Sequence, residues 1–439
     1  MFGLVSVAGV FHWIFEIEGF RFYHGVFLAI YLALFPAAWC AALPRMARKG
    51  AWLLVTAPSL WVLLEYLKAH AGFMALPWGG LAHSQYSNTA LIQLAAFTGE
   101  QGVTFLLVMT NMALARVIHE RRWRASLACV ILVASLHVWG GISLGEPDDS
   151  EKLRVAVIQP AISLRQSRSP NGREAALERL LQLSRETSVK EAQLIVWPEN
   201  AVPDLQTHIT VYERVRALAR ELDAPVITGA SEYEKFSNDG SKTNTMRSVY
   251  NAAYFVPGVT APPAPYRKRI LVPFGEYLPL DHSVNWPTWL ISRRAGLEPG
   301  DEFRHFTLQN GLRVSPIICW ENLFASFVRS LAQQQPDLIV QLTNDNWFGR
   351  STAPHQHNAA SIFRAVENRT PIAIASNTGP ALIIGPRGQI IAEGPKPFTP
   401  GAIAAAVPLQ RSGSVYTLLG DWFVIICLIF LWLPPWPVR

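Results

Sequence analysis

The stretch Arg313-Val-Ser-Pro-Ile-Ile-Cys319-Trp-Glu-Asn322 joins an apolar strand to an abrupt polar turn. Its first half is rich in residues that favour β-structure, and it delivers a cysteine to the turn. A buried strand that ends in a tight turn holds a side chain rigid and exposes it at the same time. The other cysteines, Cys40, Cys129 and Cys427, lie in apolar runs that are typical of membrane helices. Cys319 is therefore the candidate nucleophile.

The composition divides the chain into apolar and globular parts. Of its 439 residues 50% are hydrophobic and only 16% are charged, against about 25% charged residues in a typical soluble domain. The deficit of charge falls in 1–145 and 415–436. We therefore predict a transmembrane domain of about five helices over 1–145. An α/β domain over 146–410 and a C-terminal transmembrane helix over 411–439 would follow.

Short basic loops orient the predicted spans. The candidate spans are 2–17, 25–43, 51–67, 90–115, 125–144 and 415–432. Loops 45–49 and 116–124 carry much of the basic excess, which predicts that both are cytoplasmic. Counting spans from these loops places 146–410 outside the cytoplasm in a multi-pass membrane protein. The net charge of +6 then reflects topology, and no nucleic-acid motif accompanies it.

Two features of the apolar part have alternative interpretations. Glu65 lies in an apolar run, where a carboxylate is often functional. Its position near a helix end and beside Lys68 equally favours pairing or snorkelling. The segment Phe73-Met-Ala-Leu-Pro77-Trp78 is typical of an interfacial aromatic belt, and it could equally line a lipid entry path.

Strand and helix signals alternate along the middle of the chain. Strands are predicted at 153–159, 194–197, 225–229, 249–256, 314–319, 338–342 and 372–376, a hairpin at 383–392, and helices near 177–181, 211–222, 324–331 and 357–367. This alternation predicts an α/β domain whose sheets are covered by helices. Polar groups follow strands at Glu199, Cys319 and Asn344-Asp345, where such folds tend to place sites. CxxC and HExxH patterns are absent, so no metal or cofactor is expected.

Three residues could form one catalytic site. A thiol is mostly protonated at neutral pH, so Cys319 needs a base or a nearby cation. Glu199 could take its proton, and Lys268 could favour the thiolate and stabilise an oxyanion. Each residue also has an ordinary interpretation: Cys319 as packing, Glu199 as a helix cap, and Lys268 as part of a solvated basic cluster. The acceptor would decide between hydrolysis and acyl transfer.

The local strings resemble the nitrilase superfamily. Val196-Trp-Pro-Glu199-Asn, Tyr266-Arg-Lys268-Arg and Ile318-Cys319-Trp-Glu321-Asn occur in the order of its Glu-Lys-Cys triad. A longer set is similar to the membrane-embedded branch, the apolipoprotein N-acyltransferases: Leu271-Val-Pro-Phe-Gly-Glu276-Tyr, Thr343-Asn-Asp345-Asn-Trp347-Phe-Gly349, Arg364-Ala-Val-Glu367-Asn, Asn377-Thr-Gly379 and Tyr31-Leu-Ala-Leu-Phe-Pro36. The resemblance spans nearly the whole chain.

The resemblance implies a four-layer α-β-β-α sandwich on the periplasmic side of the bacterial inner membrane, and a two-step reaction. Cys319 would take an acyl chain from a phospholipid, typically phosphatidylethanolamine, as a thioester. The chain would then pass to the α-amine of a diacylglyceryl-cysteine at the N-terminus of an apolipoprotein. Glu199 would act as base and Lys268 as oxyanion clamp, while Glu276, Trp320 and Glu321 match supporting positions.

The chain also departs from the family pattern. The family usually carries two more helices before the point where this sequence begins, and Trp320 stands where a tyrosine commonly follows the cysteine. These departures keep an alternative open, a membrane-tethered amidase or a conjugal-transfer-type paralogue with another acyl or amide substrate. A non-catalytic scaffold is a third interpretation, against which the intact triad argues.

Overall fold

The computed structural model describes residues 1–17, 20–121, 123–146, 150–186, 189–235, 246–287, 296–409 and 413–433. Arg122 of the second basic loop and both ends of the predicted C-terminal helix, 410–412 and 434–439, lie outside these ranges.

The N-terminal third is helical and apolar. Its helices are α1 (Phe2–Phe11), α2 (Phe22–Ala47), α3 (Leu53–Ala69), α4 (Thr89–Ile92), α5 (Ala95–Thr98), α6 (Glu100–Glu120) and α7 (Arg124–Leu144). Within the described residues, four helical stretches are long and apolar enough to cross a membrane: Phe22–Ala47, Gly50–Ala69, Glu100–His119 and Arg124–Leu144. Helix α1 is shorter than the roughly 20 residues that a span needs.

The span predicted over 90–115 differs from the structure because the chain breaks at Gly99. This glycine has φ 69 and ψ −178, a conformation that side-chain-bearing residues rarely adopt. The backbone N–H of Glu100 then donates to the Glu367 carboxylate at 2.8 Å, which satisfies one free donor at the start of α6. A tertiary contact thus sets where this helix begins.

The rest of the described chain is an α/β domain. Its strands are β1 (Lys152–Gln159), β2 (Leu194–Val196), β3 (Val226–Lys235), β4 (Met246–Val256), β5 (Tyr266–Arg267), β6 (Phe306–Thr307), β7 (Arg313–Ile318), β8 (Leu338–Thr343), β9 (Ile372–Ser376), β10 (Leu382–Ile384), β11 (Ile390–Glu393) and β12 (Gly401–Pro408). Its helices are α8 (Leu164–Ser167), α9 (Pro170–Ser184), α10 (Ile209–Glu221), α11 (Ala325–Ala332) and α12 (Ala353–Asn368).

Among the described residues, the strands form two six-stranded sheets. One has the order β12-β1-β2-β3-β4-β5 and the other β11-β10-β9-β8-β7-β6. A core of apolar side chains from both sheets, such as Val155 and Val340, lies between them. Helices α9 and α10 cover the first sheet, and α11 and α12 cover the second together with membrane helices. The predicted α-β-β-α sandwich with a helical membrane part is therefore confirmed.

The strands missed by the sequence interpretation are those with weak apolar alternation. Strand β12 is rich in alanine, yet it pairs antiparallel with β1 along its whole length, from Lys152 opposite Pro408 to Gln159 opposite Gly401. The two-residue strands β5 and β6 exist only as partners of β4 and β7. Their pairing partners, rather than local propensity, make them strands.

The C-terminal segment differs from the single helix predicted over 415–432. It forms α13 (Val415–Leu419) and α14 (Trp422–Trp432), with Gly420 between them at φ 62. Arg329 of α11 donates to the backbone carbonyls of Tyr416 and Thr417, each at 3.0 Å, which explains the turn at this point. Helix α14 has 11 described residues, fewer than a full span requires.

A buried ionic cluster joins the membrane helices to the α/β domain. Arg364 of α12 is fully buried, and its guanidinium contacts Glu100 at 2.5 Å and Glu367 at 2.9 Å. His83 contacts the same Glu100 carboxylate at 2.8 Å. Because each charge has partners from another element, the cluster fixes how the two parts pack together.

Glu65 is held by hydrogen bonds from neighbouring parts of the protein. Its carboxylate accepts hydrogen bonds from the indole of Trp61, from the backbone N–H of Leu81 and from the hydroxyl of Thr104. Lys68 donates to the carbonyl of Trp78 at 3.0 Å. Glu65 and Lys68 therefore hold the 72–85 connection in place.

Candidate active site

Cys319 lies on the turn that follows β7, as the sequence of 313–322 predicts. It is partly exposed and has φ 52, in the left-handed region. This region costs a residue with a side chain on the order of 1–2 kcal/mol, and it persists only where neighbours impose it. The strained turn carries the thiol out of the strand and into the site.

Glu321 imposes this conformation. Its carboxylate is fully buried and accepts the backbone N–H of Ile318 at 2.7 Å, one residue before the thiol. It also accepts the backbone N–H of Arg269 at 2.7 Å and the hydroxyl of Tyr266 at 2.8 Å. Tyr266 and Arg269 flank Lys268, so one carboxylate ties the turn of Cys319 to the segment that carries the cation.

Lys268 lies between two carboxylates. Its Nζ is 2.9 Å from Oε1 of Glu276 and 3.9 Å from Oε1 of Glu199, and its side chain is fully buried. Glu276 is held in turn by the backbone N–H of Val272, which donates to Oε2 at 2.8 Å. The structure thus brings Glu199, Lys268, Glu276 and Cys319 into one cluster.

Glu199 is oriented by Asn251, which the sequence interpretation missed, and by Asn344, which it named as a polar residue after a strand. The Asn251 amide donates to Oε1 at 2.7 Å, and the backbone N–H of Asn344 donates to Oε2 at 2.9 Å. Asn251 was detectable only as a polar residue inside the apolar strand β4. Gly229 lets the backbone of β3 lie close to Glu199, because a Cβ at this position would lie only 2.6 Å from the Cα of Glu199.

The electrostatics suit a thiol that is protonated until a base acts on it. Burial raises the pKa of the Cys319 thiol well above its usual value; the Glu199 carboxylate raises it further, and Lys268 lowers it. Burial likewise raises the pKa of Glu199, with Lys268 opposing. Burial lowers the pKa of Lys268, but Glu276, Cys319 and Glu199 outweigh it and raise that pKa overall. Lys268 therefore stays charged, and Glu199 is a stronger base than an exposed glutamate.

Asp345, which the sequence analysis named together with Asn344, supports the site indirectly. It is fully buried and accepts hydrogen bonds from Thr343, His357 and Ser376 at 3.2, 3.1 and 2.7 Å. These bonds hold the turn after β8 and so aim the backbone N–H of Asn344 at Glu199. Asp345 acts through that turn.

The open side of the site is apolar and comes from the membrane helices. Cys319 packs against a cluster built from α1, the turn after it, α2, the 72–85 connection and the α/β domain. Its buried members are Val7, Phe11, Trp13, Ile14, Leu32, Trp78, Trp320, Leu323, Ala353 and Ala360. The thiol therefore lies between a charged cluster and a lipid-like surface.

Trp78 and Trp320 are inside this cluster. The rings of Trp78 and Trp13 lie 4.8 Å apart, and both indole N–H groups donate to the Gln356 carbonyl oxygen, at 2.9 and 3.1 Å. Trp78 is buried, which excludes it from an interfacial belt. The Trp320 indole donates to the carbonyl of Ile270 at 3.2 Å, so a backbone contact takes the place of the hydroxyl that a tyrosine would bring.

The arrangement can perform nucleophilic acyl chemistry. The Glu199 carboxylate can accept the thiol proton, the Lys268 ammonium can stabilise a tetrahedral oxyanion, and a thioester can form on Cys319. In the described part of the chain, no group of three or more His, Cys, Asp or Glu side chains could hold a metal ion.

Replacing Lys268 by methionine is expected to lower kcat about 10²–10³-fold, because one oxyanion donor is lost. The acid limb of the pH–rate profile should also move to higher pH. Glu199 acts as a base only when deprotonated, and Lys268 lowers its pKa, so removing the ammonium shifts this transition upward. The measurement is kcat/KM as a function of pH.

Arg267→Met is the matched control for this variant. Arg267 is the neighbouring cation, and it pairs with Glu232 at 2.8 Å near the surface. Its loss should leave the acid limb unmoved. An unchanged limb in Lys268→Met would show that Lys268 does not act on Glu199.

Comparisons with known proteins agree on one family. Residues 154–417 match the carbon-nitrogen hydrolase family, and residues 1–113 match the apolipoprotein N-acyltransferase N-terminal domain. An apolipoprotein N-acyltransferase of Geobacter metallireducens is 33% identical over 413 residues, which cover 91% of this chain and 77% of the relative. Its counterpart in Photobacterium profundum is 30% identical over 405 residues, covering 90% and 75%.

Proposed function

The chain belongs to the apolipoprotein N-acyltransferases, a membrane-protein family within the carbon-nitrogen hydrolases, and we propose that Glu199, Lys268 and Cys319 are its catalytic triad. In this proposal the acyl donor is a phospholipid of the phosphatidylethanolamine type. The acceptor is the α-amine of an N-terminal diacylglyceryl-cysteine on an apolipoprotein.

The first step forms the acyl-enzyme. Glu199 takes the Cys319 proton as the sulfur attacks the ester carbonyl of the phospholipid. The Lys268 ammonium stabilises the oxyanion. The C–O bond of the ester then breaks, and the lysophospholipid oxygen leaves with the proton from Glu199. The products are a thioester on Cys319 and a lysophospholipid.

The second step releases the acyl chain. The neutral amine of the acceptor attacks the thioester carbonyl, Glu199 takes a proton from the amine, and Lys268 again stabilises the oxyanion. The C–S bond breaks, an amide forms, and Cys319 recovers its proton from Glu199. The same base and clamp serve both steps because the attacked carbon occupies the same place.

The observation that carries this proposal is the apolar cluster against Cys319. A soluble amidase substrate would gain little from a wall built by α1, α2 and Trp78. An acyl chain gains about 0.8 kcal/mol for each buried CH₂. Both lipid substrates also reach such a wall by lateral diffusion.

The supporting residues have separate proposed roles. Glu276 keeps the Lys268 ammonium in position through their 2.9 Å contact. Glu321 shapes the turn of Cys319, and Trp320 lines the acyl side of the thiol. These are positioning roles, since each residue acts through Lys268, Cys319 or the packing around them.

The proposed location is the bacterial inner membrane with the α/β domain in the periplasm. Glu100, at the start of α6, contacts the α/β domain through Arg364, whereas the basic residues Arg45 and Arg121 lie at the other ends of α2 and α6. Basic loops favour the cytoplasmic side. The opposite ends of the helices, with the α/β domain, are then periplasmic.

An acceptor experiment tests the proposal. The protein is reconstituted into vesicles with phosphatidylethanolamine labelled in its sn-1 chain and is given a diacylglyceryl-cysteine peptide. The label is expected to move onto the free α-amine, and the same peptide with an acetylated amine should remain unlabelled. Transfer is measured by mass spectrometry.

The other outcomes contradict the proposal in distinct ways. Label released only as fatty acid would indicate a hydrolase, as in the amidase alternative. Label that stays on Cys319 would indicate a paralogue whose acceptor is different. No label on Cys319 would exclude phospholipid as the donor.

A further inference from the structure

A cavity lies where the membrane helices meet the α/β domain, away from Cys319. Its volume is about 230 Å³. The lining residues are Phe97, Trp139, Ile142, Ser143, Glu146, Arg369 and Arg387. Arg369 follows the C-terminal end of α12, a helix of 16 residues that begins beside the thiol at Ala353. At 1.5 Å per residue, about 24 Å of helix separates the two sites.

One wall of this cavity is apolar and faces outward. The rings of Phe97 and Trp139 meet edge to face with centroids 5.4 Å apart. Ile142 and Val138 on α7 are 66% and 64% exposed, so this helix presents an apolar surface to its surroundings. A helix of spanning length with such a surface lies against lipid.

The other wall carries two guanidinium groups. Arg369 is buried and donates to the Gln93 amide oxygen at 2.7 Å. The Gln93 amide in turn donates to the backbone carbonyl of Arg387 at 2.9 Å, which holds both arginines on one side of the cavity. Only Glu146, whose carboxylate is 3.1 Å from Arg387 and largely exposed, balances them among the lining residues.

The two arginines therefore leave a net positive charge at the membrane boundary. Burial and, second, the charge of Arg387 lower the pKa of Arg369 to about 10, while Glu146 opposes them. Two like charges that line one cavity are stabilised by an anion that binds between them. The planar guanidinium suits the oxygens of a phosphate group.

We propose that this cavity binds the phosphate group of an anionic phospholipid, whose acyl chains lie along Trp139 and Ile142 of α7. The recognised chemistry is a phosphate ester. We assign the site to a phospholipid because one wall is apolar. A soluble phosphate ester would contact only the side that carries the arginines. The site shares no residue with the Glu199, Lys268 and Cys319 cluster.

Two variants with opposite expected effects on lipid binding test this site. The intact protein is equilibrated with phosphatidylcholine vesicles that contain phosphatidylglycerol, and the lipids that copurify are quantified by mass spectrometry. Arg387→Gln is expected to lower phosphatidylglycerol enrichment about fivefold, following about 1 kcal/mol for one basic residue near an anionic lipid surface. Glu146→Gln is expected to raise enrichment, because it removes the carboxylate that competes for Arg387.

A matched control and a soluble competitor make the result decisive. Arg185→Gln removes a surface guanidinium that pairs with Glu221 on the α/β domain, and it should leave enrichment unchanged. Arg387→Lys should keep most of the enrichment. Equal enrichment in Arg387→Gln and the wild type would overturn the site. Displacement of the lipid by glycerol 3-phosphate would instead assign the cavity to soluble phosphate esters and contradict the proposal.

Discussion

A Cys319→Ala protein is expected to form no thioester and to lose about 10⁶-fold in kcat, the loss seen when a nucleophile is removed from an intact catalytic group. The reason is geometric as well as chemical. Cys319 stands on a left-handed turn held by Glu321, beside Lys268, and no covalent intermediate can form once its sulfur is gone. Labelled phosphatidylethanolamine and hydroxylamine treatment, which cleaves thioesters, measure the intermediate.

Cys40→Ala provides the matched control. Cys40 is a partly exposed cysteine on the membrane helix α2, outside the charged cluster. Its replacement should leave both the label and turnover unchanged. Hydroxylamine-sensitive label on a folded Cys319→Ala protein would assign the nucleophile to another residue and remove the proposed triad.

Arg364→Met is expected to lower the free energy of unfolding by about 3–5 kcal/mol, because it breaks a buried ion pair by removing one partner. Arg364 is fully buried between Glu100 and Glu367, and methionine leaves both carboxylates without their cation. Burial raises the pKa of Glu367 and Arg364 lowers it, so removing Arg364 leaves the effect of burial unopposed by that cation. Reversible unfolding in mixed micelles, as sodium dodecyl sulfate is titrated, measures the loss.

A compensating variant separates unpaired charge from lost packing. If the unpaired carboxylates cause the loss, adding Glu100→Gln and Glu367→Gln to Arg364→Met should recover most of the stability. Arg214→Met, which breaks surface pairs with Glu174 and Glu178, should cost at most about 1 kcal/mol. A loss in Arg364→Met no larger than in this control would contradict a structural role for the cluster.

The sequence was sufficient for the layers of the fold and for naming the candidate residues. Strands β1, β7, β8 and β9 are rich in apolar, strand-favouring residues, and such segments are recognisable without knowing their partners. Glu199, Cys319 and Asn344 each follow a strand, where α/β folds tend to place sites. Glu199 follows a strand of the first sheet and the other two follow strands of the second, so their meeting was not predictable. The roles of the triad residues remain proposals.

Contacts between distant segments could not be predicted from the sequence. Asn251 orients Glu199 across 52 residues of chain, and Glu321 reaches the N–H of Arg269 across the same interval of 52. The breaks at Gly99 and Gly420 depend on Glu367 and Arg329 in another part of the chain. Hydropathy averages over such interruptions, so it predicted uninterrupted spans.

The sequence by itself determined an α/β domain attached to apolar helices and a cysteine delivered to a tight turn, because alternation, strand propensity and hydropathy are local properties. Only the tertiary structure decided that Glu199, Lys268 and Glu276 surround that thiol and that membrane helices supply its apolar wall. The physical reason is that these neighbours come from distant segments of the chain. Their packing buries Cys319 and Glu199, and this burial raises the pKa of both groups. Burial and charge pairing arise only when distant segments pack together.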